Sequence, residues 1–181
     1  MLSQWTEKRV QIMPDVVDKQ TRSRMMSGIR GKNTRPELLL RRALHKRGFR
    51  YRLHVKSLPG KPDLVLPKYR AVIFAHGCFW HRHPGCRYTT TPATNTEFWL
   101  PKFQRTIDHD EVVMKQLTER GWRVGVVWEC ALRQLDIDTV IDAIVAWLIG
   151  DDLLVDIAWH QVDENLGPGD LRKTERAAHG A

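Results

Sequence analysis

Two near-continuous apolar runs, Ala71–Ala75 and Trp122–Trp128, constrain this chain more than any other feature. Each has the length of a strand, and a strand without polar alternation needs apolar cover on both faces. The neighbouring segments can supply it. Thr34-Arg35-Pro36-Glu37 has the form of a capping box and opens a helix through Leu38, Leu39, Leu40, Ala43 and Leu44 that Gly48 closes. Glu37, Leu40 and Leu44 share one face, which turns this carboxylate toward the core. Phe49–Val55 alternates as a strand, Pro59–Pro62 turns, Asp63–Leu66 is a short apolar strand, and Pro67-Lys68-Tyr69 turns again. Thr94-Asn95-Thr96-Glu97 offers a second capping box for a long helix to about Arg120, bent near Pro101. A last amphipathic helix covers Asp138–Ile149. This order predicts an α/β fold, a mixed central sheet flanked by helices.

The 181 residues fit one domain. We place it at 15–150, after a flexible extension at 1–14 and before a C-terminal extension at 151–181 that should be partly disordered, above all in the polar stretch beyond Gly167. No run has the roughly 20 apolar residues of a membrane span and no signal peptide leads the chain, so a cytoplasmic protein without a membrane partner is expected. The net charge of +8 is unevenly spread. Lys19–Arg52 holds twelve Lys or Arg against the single acid Glu37, whereas Gln134–Asn165 holds eight acids and neither Lys nor Arg. Crowded cations repel one another, which favours a patch built for a polyanion, and nucleic acid is the commonest partner of such a patch. Within it, Asp18 can cap a short basic helix carrying Met25, Met26 and Ile29 among Arg22, Arg24 and Arg30.

Three cysteines, an odd count, argue against a disulfide framework. Cys78, His83 and Cys86 have ligand-like spacing, and Cys130 follows the apolar run that ends at Trp128. Three sulfurs and one nitrogen make a closed, structural zinc set. By spacing alone His76 and His81 are alternative ligands to His83, and buried cysteines without a metal are a further reading.

Asp63 heads a strand after a tight turn, and the next strand, Val72–Ala75, runs into His76, with His81 five residues on. A carboxylate beside the backbone carbonyl of a neighbouring strand, here Ala75, suits Mg²⁺, which keeps several waters and favours phosphate oxygens. Such a site fits phosphodiester hydrolysis, with a histidine shuttling the proton. A lone Pro-Asp pair more often caps a turn; the basic patch and an inward Glu37 distinguish this one. Asp110 shares an apolar helix face with Val113 and Leu117, as a boundary residue or as a histidine's partner. Phe79, Trp80 and Trp99 either cover the core or act as apolar wedges between base pairs, and Met25, Met26 and Ile29 could do the same from the opposite groove.

Together these residues resemble a known family. Asp18–Ser23, Pro59-Gly60-Lys61-Pro62-Asp63, His76-Gly77-Cys78-Phe79-Trp80-His81, Pro92-Ala93-Thr94, Thr96–Leu100, Gly121–Val124 and Val127–Arg133 are similar, in order and spacing, to the very-short-patch repair (Vsr-type) DNA mismatch endonucleases. The resemblance implies a restriction-endonuclease-like three-layer core and a nick 5′ to the thymine of a T:G mismatch, the lesion left by deaminated 5-methylcytosine. It implies Asp63 as the Mg²⁺ carboxylate, His81 as acid/base, and Glu37, His76 and Asp110 in support. Cys78, His83, Cys86 and Cys130 would hold Zn²⁺. Phe79, Trp80 and Trp99 would intercalate, beside the basic N-terminal helix in the other groove. One asymmetric mismatch needs one nick, so a monomer is expected, acting on nucleoid DNA, with mismatch-repair accessory proteins as further candidate partners. Two departures stand out: Ala75 where the family often has threonine, and a metal loop one residue longer at Pro84-Gly85.

Overall fold

The computed structural model describes residues 32–53 and 55–159, with 18, 20, 21 and 24 and the backbone of 12–13. Thr34 is extended at φ −66° and ψ 160°; its hydroxyl accepts the Glu37 amide while the Glu37 carboxylate accepts the Thr34 amide, so the capping box forms as read. Helix α1 (Arg35–Lys46) follows, with Leu40 and Leu44 fully buried one turn apart. Upstream, Asp18 accepts the backbone amides of Gln20 and Thr21, as expected of a cap.

The remaining elements are numbered in chain order: β1 (Ile12–Met13), β2 (Leu64–Leu66), β3 (Ala71–His76), β4 (Thr91–Pro92), α2 (Thr96–Glu119), β5 (Arg123–Trp128), α3 (Glu129–Gln134), α4 (Ile137–Ile149) and β6 (Leu154–Ile157). Four strands form one sheet in the order β2-β3-β5-β6, with β2 antiparallel to β3 and both other pairs parallel. β1 and β4 make a separate two-stranded pair. Because side chains alternate across a pleated strand, the sheet has two distinct apolar faces. Ala71, Ile73 and Val127 pack with Leu40 and Leu44 of α1 and Ile141 and Ile144 of α4. Val72, Phe74 and Val124 pack with Val113 and Leu117 of α2. Helices therefore cover both faces of a mixed sheet, as the apolar runs require. No helix among the described residues is long and apolar enough to cross a membrane.

Four elements differ from the sequence expectation. The described residues of Phe49–Val55 form no strand: among them only Arg52 bridges to Val65, because Phe49 and Tyr51 turn into the core under α1 and the Tyr51 hydroxyl bonds the Arg41 carbonyl. The second capping box does not form, since Asn95 takes the N-cap position in a left-handed conformation, φ 55°, without a side-chain cap; Pro101 lies inside α2. Helix α3 was not expected, being too short to show a period. The sheet also continues past residue 150, inside the stretch read as an extension. Asp151, Asp152 and Asp156 hide β6 from a hydropathy reading, and of its own residues only Ile157 is buried.

Gly60 fixes how the turn before β2 meets α2. It has φ +67°, and an added Cβ would lie 2.4 Å from Val113 Cγ1. Gly60→Ala therefore combines left-handed strain with overpacking, and should lower unfolding free energy by about 2–4 kcal/mol in urea titration. An unchanged midpoint would mean that this turn does not bear on α2.

Candidate functional site

Strands β3 and β5 end side by side, His76 opposite Trp128, and the chain leaves both ends carrying potential ligands. Cys78, His83, Cys86 and Cys130 are all buried, and their ligand atoms lie within 4.8 Å of one another. His83 Nδ1 is 3.4 Å from Cys130 Sγ and 3.8 Å from Cys78 Sγ. Its ring stacks on Trp128 at 4.1 Å and 10°, which sets its direction, and Thr89 Oγ1 donates to the carbonyls of Cys78 and His83. Of the three histidines left open by spacing, His83 is the one grouped with the three sulfurs. Hydrogen bonds from Cys78 and then His83 hold the Cys130 thiol down to about 4, whereas its pairing with Cys130 and burial push Cys78 up. Burial also pushes up Cys86. A thiolate is therefore favoured within the set, the state a metal needs.

A second cluster forms around His76. Asp63 is half-buried and its Oδ2 accepts the Ala75 amide at 2.8 Å; among the described residues this is its one hydrogen bond. Burial, reinforced by the charge of Glu37, raises its pKa to about 6 against the opposing pull of Ala75 N–H, Arg41 and His81. His76 is buried and lies face to face with His81, centroids 3.7 Å apart and planes 7° apart. Burial first, then the charge of His81, depress its pKa to about 3, so its ring is neutral at physiological pH. His81 Nδ1 is 2.6 Å from Asp110 Oδ2. With Nδ1–H donated to that carboxylate, Nε2 is left to accept a proton. His76, His81 and Asp110 are close enough to suggest a cation site. However, lone pairs in parallel rings do not converge, so we read them as a hydrogen-bonded dyad over a neutral stacked ring.

Glu37 is buried as expected, but its oxygens are occupied. Oε1 accepts from the Thr34 amide and hydroxyl; Oε2 accepts from the Asn33 amide and, at 2.6 Å, from Arg41 Nη2. It reaches Asp63 by charge, as a fixed and paired anion.

Phe79, Trp80 and Trp99 do cluster, with centroids 5.1–6.0 Å apart. Trp99 is largely buried, Phe79 and Trp80 half-buried, whereas the neighbouring Phe98 is 61% exposed. Lys102 Nζ lies 5.2 Å from the Trp80 centroid and 5.7 Å from those of Phe98 and Trp99. A cleft of about 510 Å³ joins this aromatic edge to the dyad, lined by His81, Asp110, Phe98, Lys102, Arg105 and His109 among others. The sequence reading missed Phe98, Lys102, Arg105 and His109. The recurrence of the last three along one face of α2 was the available signal. Arg24 is exposed; Arg22, Met25, Met26 and Ile29 lie outside the described residues.

Residues 14–87 match the family model described as DNA mismatch endonuclease Vsr. The chain is 44% identical over 142 residues to DNA mismatch endonuclease Vsr of Escherichia coli (strain K12), covering 77% of this chain and 90% of that protein. This chain belongs to the Vsr family of DNA mismatch endonucleases. It is also 46% identical over 123 residues to the Type II nicking enzyme V.XorIIP of Xanthomonas oryzae pv. oryzae, covering 68% of this chain and 90% of the relative. To the Type II nicking enzyme V.NmeAIP of Neisseria meningitidis it is 44% identical over 121 residues, covering 67% and 86%.

The departures noted within the Vsr family have structural readings. Ala75 gives its amide to Asp63 and packs its methyl against the core shared with α1 and α4. Gly85 takes φ 70° where the loop turns back to Cys86. Two outcomes are expected. Cys130→Ser should lose bound metal and unfold or aggregate; a folded variant with full metal content by atomic absorption would refute the metal assignment. Asp63 binds a proton more readily folded than unfolded, so its charge destabilises the fold above about pH 6 and ceases to do so as pH falls toward 4. Without divalent ions, Asp63→Asn should be more stable than wild type by about 2–3 kcal/mol at pH 7.5, the gap closing below pH 6. A gap that is constant with pH would contradict the raised pKa.

Proposed function

We propose that this chain is a Mg²⁺-dependent nicking endonuclease with a restriction-endonuclease-like core, cutting one strand 5′ to the thymine of a T:G mismatch in repair of deaminated 5-methylcytosine. The observation that carries the reading is the chain of contacts from Asp63, bonded to the Ala75 amide, through the next residue His76, whose ring stacks on His81, to the His81–Asp110 dyad that lines a basic, aromatic-edged cleft. The words mismatch endonuclease and nicking enzyme in the relatives' names support it.

Both cations fit the donors. A tetrahedral Zn²⁺ with sulfur at about 2.3 Å and nitrogen at about 2.0 Å needs donor separations of roughly 3.5–3.8 Å. His83 stands at 3.4 and 3.8 Å from two of the sulfurs. Mg²⁺ prefers hard oxygens, which the Asp63 carboxylate, with the Ala75 carbonyl beside it, would offer. Bound there, it would supply positive charge to offset the phosphate oxygens as the ester bond breaks. The residues of the chain do the rest. His81 Nε2 takes or returns the proton, Asp110 holds the imidazole in the right tautomer, and neutral His76 supports the ring without adding charge. Phe79, Trp80 and Trp99 form the wedge that distorts the mismatch, Lys102 and Arg105 meet backbone phosphates, and Arg22, Arg24, Met25, Met26 and Ile29 grip the opposite groove. The enzyme works as a monomer in this reading, with repair accessory proteins drawn to the nick.

The deciding experiment is a strand-labelled nicking assay, comparing T:G duplexes in varied flanking sequence with their matched counterparts. One cut 5′ to the mismatched thymine is expected, absent without Mg²⁺, and slowed on the order of a thousandfold or more in Asp63→Asn while mismatch binding persists. Equal cutting of matched DNA would instead indicate a restriction-type target.

A further inference from the structure

Arg82 stands between His81 and His83, one in each cluster. Its φ of 53° is left-handed, a conformation that a non-glycine residue keeps where its surroundings over-determine it. The surroundings are specific. Nη1 donates to the Thr90 carbonyl at 2.8 Å and Nη2 to Thr91 Oγ1 at 2.9 Å. The guanidinium lies 4.3 Å from the Phe103 centroid. Thr91 and Phe103 are both buried. Phe103 meets Phe79 edge-on at 5.1 Å and stacks on Trp99 at 5.8 Å, so it is the floor beneath the aromatic cluster.

The left-handed residue sends the chain two ways. The His81 amide bonds the Gly77 carbonyl, and the His81 ring turns to Asp110; the His83 amide bonds the Cys78 carbonyl, and the His83 ring turns to the sulfurs. Among the described residues no carboxylate pairs with Arg82, whose charge rests on a carbonyl, a hydroxyl and a ring face. A planar fork can hold those three at once in a way an ammonium cannot.

We infer that Arg82 is a positioning residue for nicking: it ties the floor of the aromatic wedge to the loop carrying His81 and holds that imidazole in line with Asp110. The kinetic consequence rests on the proposed function; the placement of His81 does not.

Arg82→Gly removes the ties while leaving the backbone conformation unstrained. The variant should keep its full complement of tetrad metal. A loss of kcat on the order of a hundredfold is expected, with the Kd for mismatched duplex within about threefold of wild type. Added guanidinium should restore part of kcat, and Arg82→Lys should be similarly slow. Separately, on DNA-free full-length protein, NMR should show a downfield imidazole proton for His81 Nδ1–H, identified by its disappearance in Asp110→Asn. That signal should broaden or vanish in Arg82→Gly. Wild-type kcat or an intact signal in Arg82→Gly would overturn the inference. So would a loss confined to Kd and indifferent to guanidinium, which would make Arg82 a phosphate contact. Should Arg82→Gly fail to fold, Arg82→Lys serves for the NMR comparison, and a wild-type signal there overturns the inference. A wild-type protein that nicks no duplex would defeat the proposed function, yet leave the NMR comparison to decide Arg82.

Discussion

Because β3 and β5 run parallel and in register from Ala71–Arg123 to His76–Trp128, both end at one edge of the sheet, and their continuations start from the same place. His76 closes one strand; Cys130 lies two residues past the other. Trp128 then serves as a common wall, edge-on to His76 at 5.4 Å and stacked on His83 at 4.1 Å. Ligand sites in open α/β sheets gather outside the carboxyl ends of parallel strands because chains diverge there and leave a crevice. Here that crevice is divided in two, with three sulfurs and an imidazole on one side and two carboxylates with two imidazoles on the other. A one-residue slip of β5 would flip its side chains and separate the pairs.

Burial of charge is managed differently in the two halves. Glu37 and Arg41 are both buried and answer one another at 2.6 Å, with Asn33 and Thr34 donating to the carboxylate and the Asn33 side chain accepting from Arg41 Nη1. Asp63 has no such partner, so burial acts on it with little relief beyond one amide. Desolvation penalises an unpaired carboxylate, and the fold accepts that penalty at a position where a cation would remove it. His76 meets the same burial by staying neutral. The site thus holds its acidic charge next to uncharged aromatic surface, where a field is least screened.

Much of this was legible from residue order. The apolar runs Ala71–Ala75 and Trp122–Trp128 announced the central strands, and the Thr34–Glu37 box announced the start of α1, because burial and capping are local demands on residue type. The four soft donors were legible as a set, though not which histidine joined them; ring direction depends on Trp128, 45 positions along the chain. The Asp110–His81 contact spans 29 positions and was readable only as one of two options. What stayed hidden was tertiary in origin. Phe49 and Tyr51 have strand-like alternation but are drawn under α1, and β6 carries acids that mask its pairing. Asn95 displaced the expected Thr94 cap through a backbone conformation that residue type permits but does not require. The exposed Phe98 and the basic face of α2 became meaningful once the helix was seen to border His81.

The donors of the tetrad are far apart in time as well as in sequence. His83 and Cys130 are separated by 47 positions, and Cys130 follows the strand that must pair with β3 before the loop from Cys78 to Cys86 can be held. During synthesis, the segment bearing His81 therefore lacks its anchor until the chain has been made past residue 130. A chain made only that far already carries Asp63, His81 and the aromatic pair Phe79 and Trp80, but not the cysteine that completes the buried cluster beside them.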